Sequence, residues 1–108
     1  MSRVKGFAAE ERAASYLQEL GFTIVERNFT IRGGEIDIVA SKGGILHFVE
    51  VKYSAHRPPH ERITPAKIQR LSRAIAIYMA RRGFDLPYQL DALCIWDGGI
   101  ELVENITL

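Results

Sequence analysis

The sequence contains a single cysteine, Cys94, among its 108 residues. One cysteine cannot form an intrachain disulfide, and no Cys-x-x-Cys pair is present to begin a zinc site. His56 and His60 are close in sequence, but Pro58-Pro59 between them excludes the helical turn that would align them on a metal. A disulfide-stabilised scaffold is therefore excluded, and His56 and His60 are interpreted as surface histidines or phosphate contacts rather than zinc ligands. Cys94, which lies in an apolar run, is predicted to be a reduced core thiol.

Long apolar runs are also absent. No segment stays apolar over the roughly 20 residues that a membrane-spanning helix needs, and the first residues, Met-Ser-Arg-Val-Lys-Gly, lack the apolar core of a signal peptide. These features predict a cytoplasmic protein with no membrane partner. A hydrophobic content of 47% with 25% charged residues is ordinary for a globular chain, and the length predicts one domain over residues 1–108.

The charge is nearly balanced overall but uneven along the chain. A formal net charge of +1 argues against strong unspecific binding to nucleic acid by the chain as a whole. Between residues 52 and 82, however, eight lysines and arginines accompany one acidic residue, whereas the remainder carries six basic and twelve acidic residues. This layout suits a protein that grips a polyanion beside an acidic site, although an ordinary solvated helix face would give the same pattern.

Residues 33–53 contain two runs rich in isoleucine and valine, and charges interrupt both. Each run alternates with the period of two that is typical of strands, and Ser41-Lys42-Gly43-Gly44 between them favours a turn. An antiparallel hairpin is predicted. The apolar residues of the second run fall on both faces, which indicates a central strand in which unpartnered charges would cost several kcal/mol. We therefore expect those charges to have partners.

The register of this hairpin decides what its charges can do. If Ala40 lies opposite Ile45, the charged side chains share one face and Asp37 and Glu50 are diagonal neighbours, with Cβ atoms about 7 Å apart. One divalent ion could then bind both carboxylates, the ligands that Mg²⁺ prefers, with Lys52 alongside. A slip by one residue would scatter the charges, and a charged ladder on a solvent face remains the alternative.

At these residues the sequence resembles the PD-(D/E)XK nuclease superfamily, and within it the YraN-like group of small bacterial endonuclease-like proteins. The resemblance covers nearly the whole chain, and archaeal Holliday-junction resolvases are similar in layout with looser motifs. Two positions depart from the group's pattern: Ala9, where glycine is usual, and Ser54, where arginine is common. The matching residues, in order, are Gly6, Glu10, Ala13, Tyr16, Leu17, Gly21, Arg27, Asn28, 34–40 (GEIDIVA) and 48–52 (FVEVK).

The resemblance implies roles for five residues. Asp37 and Glu50, with the backbone carbonyl of Val51, would bind Mg²⁺ or Mn²⁺. Lys52 would stabilise or orient the attacking water. Glu10 would assist the metal directly or through water.

Helical periodicity selects Glu10 independently of the resemblance. Residues 2–20 predict an amphipathic helix ended by Gly21, in which Glu10 lies beside the apolar stripe and Glu11 points away. A boundary glutamate paired with Lys5 or Arg12 is the alternative. The role of Glu35 is also undecided at this point, since it could bind the metal or pair with a basic residue.

A second helix is predicted from the capping pair Thr64-Pro65 to Arg82, before Gly83. One flank of its apolar stripe carries Lys67 and Arg70, which form a candidate phosphate-binding edge beside the polar loop 54–63. Arg81 and Arg82 are interpreted as complementing the negative end of the helix. The candidate nucleic-acid-binding residues are Lys67, Arg70, Arg57 and Arg62.

The remaining segments predict strands at 22–27, 89–96 and 100–106, with a loop at 28–32. Asp91 is interpreted as a structural partner of an arginine. The order αβββαββ predicts an α/β protein with a mixed sheet flanked by two main helices, for which the resemblance implies a restriction-endonuclease-like core.

The sequence is compatible with three functions. The leading hypothesis is a Mg²⁺-dependent endonuclease that acts on nucleic acid, with DNA the favoured substrate. A non-cleaving nucleic-acid-binding subunit of a DNA repair or processing complex is the alternative. A structural domain that binds no ligand is the third. A homodimer would suit an enzyme that cleaves two strands.

Overall fold

The computed structural model describes residues 3–55 and 64–106, with side chains from residue 7 onward. The predicted order of elements, αβββαββ, is confirmed. The elements are α1 (Arg3–Glu19), β1 (Thr23–Ile31), β2 (Gly34–Lys42), β3 (Ile45–Ser54), α2 (Pro65–Arg82), β4 (Tyr88–Trp96) and β5 (Gly99–Val103).

The strands form one mixed sheet in the order β1-β2-β3-β4-β5. Neighbouring strands are antiparallel except β3 and β4, which pair in parallel. A parallel pair requires a crossover connection, and α2 lies in that connection. Strand β3 therefore has a neighbour on each side, as its apolar residues on both faces predicted.

Each helix covers one hydrophobic cluster on the sheet. Ala13 and Leu17 of α1 pack with Val49 of β3, whereas Tyr78 of α2 packs with Phe48 of the same strand. Phe48 and Val49 are consecutive residues, and successive side chains of a strand point to opposite faces. The two clusters consequently lie on opposite faces of β3.

The helix ends follow the capping signals in the sequence. At the end of α1, the Phe22 N–H donates to the Leu17 carbonyl at 3.0 Å, and Gly21 adopts a φ of +94°. This is a Schellman motif, which requires a left-handed residue at that place. At the start of α2, Thr64 Oγ1 accepts a hydrogen bond from the Lys67 N–H at 3.2 Å.

The predicted loop at 28–32 is wrong, because β1 continues to Ile31. Ile31 pairs with Gly34, so only Arg32-Gly33 leaves the sheet. Phe29 and Ile31 both pack in the cluster under α2. Burial of these two apolar side chains keeps the otherwise polar segment in the sheet. Its period-two pattern is interrupted at Asn28, whose φ is +55°.

The predicted register of the β2–β3 hairpin is also wrong, by two residues. Lys42 pairs with Ile45 and Ala40 with His47, because the turn consists of Gly43-Gly44 alone. Both glycines have positive φ, +60° and +79°, as a type I′ turn requires. A shift of two residues keeps each side chain on its predicted face. If the register is extended by one pair beyond Ile38–Val49, Asp37 lies directly beside Glu50 rather than diagonal to it.

Asp91 has a structural role, but its predicted arginine partner is wrong. The carboxylate is fully buried, and its Oδ2 lies 2.7 Å from His47 Nδ1. Oδ1 accepts hydrogen bonds from Gln89 Nε2 at 2.8 Å and from the Asn105 N–H at 2.9 Å. The network joins β3, β4 and the segment after β5.

Cys94 is a free thiol that is half-buried rather than enclosed in the core. Burial raises the pKa of this thiol, and the negative charge of Glu101 raises it further. A raised pKa keeps the thiol protonated and unreactive at neutral pH.

Candidate metal centre and nucleic-acid interface

The predicted acidic residues converge on one open cavity of about 520 Å³, which residues of both helices help to line. Residues from α1, β2, β3 and α2 line it, so the site exists only where these elements meet. Its charged lining consists of Glu10, Glu35, Asp37, Glu50, Lys52 and Lys67.

Asp37 lies at the centre of this group. Its Oδ2 accepts a hydrogen bond from the Val51 N–H at 2.8 Å, so the carboxylate joins β2 to β3 just beyond the Ile38–Val49 pair. Burial, followed by the negative charge of Glu50, raises the pKa of Asp37 to about 7, although the Val51 hydrogen bond opposes the rise. Glu35 and Glu10 add smaller repulsions. Asp37 therefore resists ionisation unless positive charge is brought near it.

Glu50 has the partner that burial of its charge requires. Its side chain is 10% exposed, and Oε1 lies 2.7 Å from Lys67 Nζ. Burial alone would lower the pKa of Lys67, but the hydrogen bond and charge of Glu50 outweigh it and the pKa is raised. The compensating partner expected from the sequence is thus a lysine from α2.

Glu10 reaches the same cavity from α1. With its nitrogen turned toward α1, the Asn28 amide donates to Glu10 Oε2 and Oε1 at 3.1 and 3.3 Å. Burial and the nearby Glu35 raise the pKa of Glu10. One carboxylate oxygen from each of Glu10, Glu35 and Asp37 lies within 4.8 Å of the other two.

Glu11, one residue further on, points elsewhere and binds Arg27 at 2.7 Å. The contrast that helical periodicity predicted between Glu10 and Glu11 is confirmed. Arg12, one of the two alternative partners considered for Glu10, instead donates to the Trp96 carbonyl at 3.2 Å. The side chain of the other, Lys5, lies outside the described part of the chain.

Val51 and Lys52 line the cavity next to Glu50. The Val51 N–H is the group that Asp37 accepts from, while metal coordination by the Val51 carbonyl stays a prediction. Lys52 is half-buried and pairs in register with Cys94 of β4. Its place beside the carboxylates agrees with the predicted role, which also stays a prediction.

The basic residues divide into three groups. Lys67 and Arg70 line a smaller cavity of about 170 Å³, next to Gly34, Asp37 and Glu50. Arg57 and Arg62 lie outside the described residues. Arg82 binds both carboxylate oxygens of Glu26, at 2.9 and 2.6 Å.

The Arg82–Glu26 pair agrees with the interpretation of Arg82 as a structural residue. The hydrogen bond from Arg82 lowers the pKa of Glu26. Sequence reasoning missed this pair, the Lys67–Glu50 pair and the contact between Asn28 and Glu10. Only the last had a sequence signal, since Asn28 belongs to the motif that carries the family resemblance.

The donor set fits a hard divalent cation. Its candidate ligands are carboxylate oxygens, which Mg²⁺ and Mn²⁺ prefer, and Mg²⁺ sites typically combine one or two carboxylates with water and a phosphate. The raised pKa values of Asp37 and Glu10 come from crowded negative charge that a cation would offset. A second grouping, His47 with Asp91 and Glu104, differs because Asp91 already has protein hydrogen bonds at both oxygens.

The fold has a counterpart among solved structures. It is similar to the fold of Archaeoglobus fulgidus Hjc, a Holliday junction resolvase from an archaeal hyperthermophile, with a TM-score of 0.57 and 15% sequence identity. The similarity covers 88% of this chain and 72% of that chain. An Hjc-like fold with two helices and a five-stranded mixed sheet is what the restriction-endonuclease-like prediction required.

The chain belongs to the family described as "Uncharacterised protein family UPF0102", whose model matches residues 9–95. A UPF0102 protein of Wolinella succinogenes is 48% identical over 108 residues, the full length of both chains. Another, from Helicobacter hepaticus, is 50% identical over 107 residues, which cover 99% of this chain and 97% of the relative. The predicted family resemblance is confirmed.

Among the described residues, no helix is long and apolar enough to cross a membrane. The cytoplasmic location and the homodimer stay predictions.

Proposed function

We propose that the protein is a nuclease that uses a divalent metal ion, Mg²⁺ or Mn²⁺, to hydrolyse phosphodiester bonds of nucleic acid, with DNA the favoured substrate. The observation that carries the proposal is the convergence of Asp37 and Glu50, with Lys52 beside them, in an open cavity of an Hjc-like fold. A purely structural ladder of charges would not need four acidic side chains from three elements around one space.

Asp37 and Glu50 would hold the ion, and the family resemblance adds the Val51 carbonyl to them. The chemistry that such an ion supplies when bound is to lower the pKa of its water and to polarise the scissile phosphate. The Val51 N–H holds Asp37 Oδ2 at 2.8 Å, which orients that carboxylate before any ligand arrives. This preorganisation reduces the entropy lost on binding.

Lys52 orients the attacking water and stabilises the negative charge that develops on the phosphate oxygens. An ammonium beside a pentacovalent phosphate stabilises its added negative charge. Glu10, held by Asn28, accepts a proton or orients a water on the α1 side of the cavity. Its raised pKa brings the carboxyl closer to the range in which a general base works at neutral pH.

Lys67 and Arg70 of α2 bind the phosphates that flank the cleaved one. Both line the smaller cavity that adjoins the carboxylates, and Arg57 and Arg62 are proposed to extend the same basic surface. Gly34 lines the same smaller cavity, and a Cβ there would be in ordinary van der Waals contact with the Arg70 carbonyl oxygen at 3.5 Å.

The proposal is tested with purified wild type and the variants Asp37→Ala, Glu50→Ala and Lys52→Ala. Each is incubated with labelled branched, single-stranded and duplex DNA, and with RNA, in Mg²⁺, in Mn²⁺ and in EDTA. We expect metal-dependent cleavage by wild type and none by the variants, with circular dichroism unchanged. Cleavage at the wild-type rate by Asp37→Ala would refute the proposal, and DNA binding without product at any metal concentration would favour a non-cleaving subunit.

A further inference from the structure

We propose that Lys67 and the divalent ion compete for Glu50, so that ion binding releases Lys67 to bind a phosphate of the nucleic acid. This inference rests on the proposed function and adds a coupling between its two ligands. It concerns a side chain of α2 rather than the metal-binding residues themselves.

The first support is the contact between the two side chains. Lys67 Nζ lies 2.7 Å from Glu50 Oε1, and Glu50 is only 10% exposed against 32% for Lys67. A charge-assisted hydrogen bond of this length with a buried carboxylate is strong. A divalent ion that takes Glu50 as a ligand must share this carboxylate with an ammonium, and the two positive charges repel each other.

The second support is the position of Lys67 on α2. It is the third residue of the helix, which begins at Pro65, and its backbone N–H is part of the cap formed by Thr64. The first turn of a helix carries partial positive charge, so an ammonium is disfavoured there and a phosphate is favoured. Glu50 compensates Lys67 at this unfavourable place, and a phosphate would compensate it equally well once Glu50 binds the ion.

The third support is that Lys67 faces space on two sides. It lines the larger cavity together with Lys52 and the smaller one together with Arg70. The lysine side chain is a flexible four-carbon stem with a compact charge. Rotation about this stem can move the ammonium from Glu50 toward a phosphate without any movement of α2.

Competition has a reciprocal consequence. If the ion frees Lys67 for phosphate, then nucleic acid that engages Lys67 must strengthen ion binding by the same factor. The site would then be assembled fully only when both ligands are present.

The test is a Mn²⁺ titration of the full chain, in which electron paramagnetic resonance measures the free ion. The variants are Lys67→Met, which removes the competing charge, and Lys67→Arg, which retains it. Arg70→Met is the matched control, because it removes one positive charge from the same helix and cavity wall while the Lys67–Glu50 ion pair stays intact. Thermal unfolding confirms that each variant is folded.

We expect Lys67→Met to bind Mn²⁺ about tenfold more tightly than wild type, because a charge adjacent to the ligand is removed. Lys67→Arg should stay near wild type, and Arg70→Met should change by about twofold at most, since screening weakens more distant charges. Equal affinities for Lys67→Met and wild type, or equal gains for Lys67→Met and Arg70→Met, would overturn the inference.

A second measurement follows the lysine itself. The sequence has four lysines, so the Nζ signal of Lys67 can be assigned in a ¹⁵N-lysine spectrum by its loss in Lys67→Arg. Added Mg²⁺, which is diamagnetic, should shift this signal and speed its proton exchange with water. A signal unaffected by saturating Mg²⁺ would mean that the pair persists beside the ion and would refute competition.

The two proposals fail in different ways. Absence of Mn²⁺ binding by wild type would remove the metal-dependent nuclease and the inference with it. Normal Mn²⁺ binding and cleavage, with affinities unaltered in Lys67→Met, would remove the inference alone.

Discussion

Asp91 is fully buried and Asp37 is half-buried on the same sheet, and their surroundings are opposite. Asp91 has hydrogen bonds at both oxygens, from His47, Gln89 and the Asn105 backbone. Asp37 has one backbone hydrogen bond and three acidic neighbours that raise its pKa. A carboxylate with its hydrogen bonds made holds a fold together, whereas one that is crowded by like charge is suited to bind a cation.

The largest effect expected from this contrast is the loss of activity in Asp37→Asn. The amide keeps the acceptor for the Val51 N–H but lacks the charge that binds the ion, so cleavage should fall by about a thousandfold or more. Stability at pH 8 in EDTA should stay the same or increase, because like-charge repulsion is removed. Cleavage rates and urea unfolding on the same preparation measure both, and a large loss of stability would assign Asp37 to the fold instead.

Asp91→Ala should show the opposite pattern. Removal of the carboxylate leaves His47 and the Asn105 N–H without their partner, which should lower the free energy of unfolding by about 3 kcal/mol. Urea unfolding measures this loss. Glu104→Ala, at an exposed residue near the same network, is the control and should change stability by less than about 0.5 kcal/mol. Equal stabilities for the two variants would contradict the role of Asp91.

The pH dependence of stability sharpens the same comparison. The pKa of Asp37 in the folded protein, about 7, lies above its ordinary value of 3.8, so between these values the folded state binds a proton that the unfolded state does not. The Asp37 contribution to stability is therefore fully present below pH 4 and is lost as the pH rises through 7.

We expect this loss to be about 2 kcal/mol between pH 5 and 8 in EDTA, and to be absent in Asp37→Asn. Saturating Mg²⁺ should reduce it, because the ion favours the ionised carboxylate. Urea unfolding at several pH values provides the measurement. A wild-type slope equal to that of Asp37→Asn would show that Asp37 ionises normally.

The smallest effect distinguishes two adjacent glutamates of α1. Glu10→Gln should reduce cleavage by about tenfold to a hundredfold, because Glu10 acts on the water or ion rather than as a main ligand. Glu11→Gln loses only an exposed pair with Arg27 and should change stability by less than about 1 kcal/mol, with cleavage unaltered. Comparable cleavage by both variants would exclude Glu10 from the site.

Local patterns in the sequence predicted much of the fold. The caps at Gly21 and Thr64 bound the helices because they satisfy backbone groups within a few residues. The period of two in 33–53 predicted the hairpin, and the period of 3.6 in α1 separated Glu10 from Glu11. The family resemblance then selected Asp37, Glu50 and Lys52, which the fold brings to one cavity.

Two predictions failed for different reasons. The hairpin register moved by two residues because Gly43-Gly44 can turn without help from Ser41 and Lys42, which is a matter of local turn geometry. The partner of Asp91 is His47 rather than an arginine, and this contact depends on which strands become neighbours.

The sequence by itself determined the order of helices and strands, the family, and the acidic residues that could bind a metal. These depend on spacing and on residue chemistry, which a chain carries without being folded. Only the tertiary structure decided that Lys67 binds Glu50, and that Asp91 has its hydrogen bonds satisfied whereas Asp37 is crowded by like charge. Such differences arise from burial and from the charges that folding brings within a few ångströms, and neither exists until the sheet and its two helices have packed together.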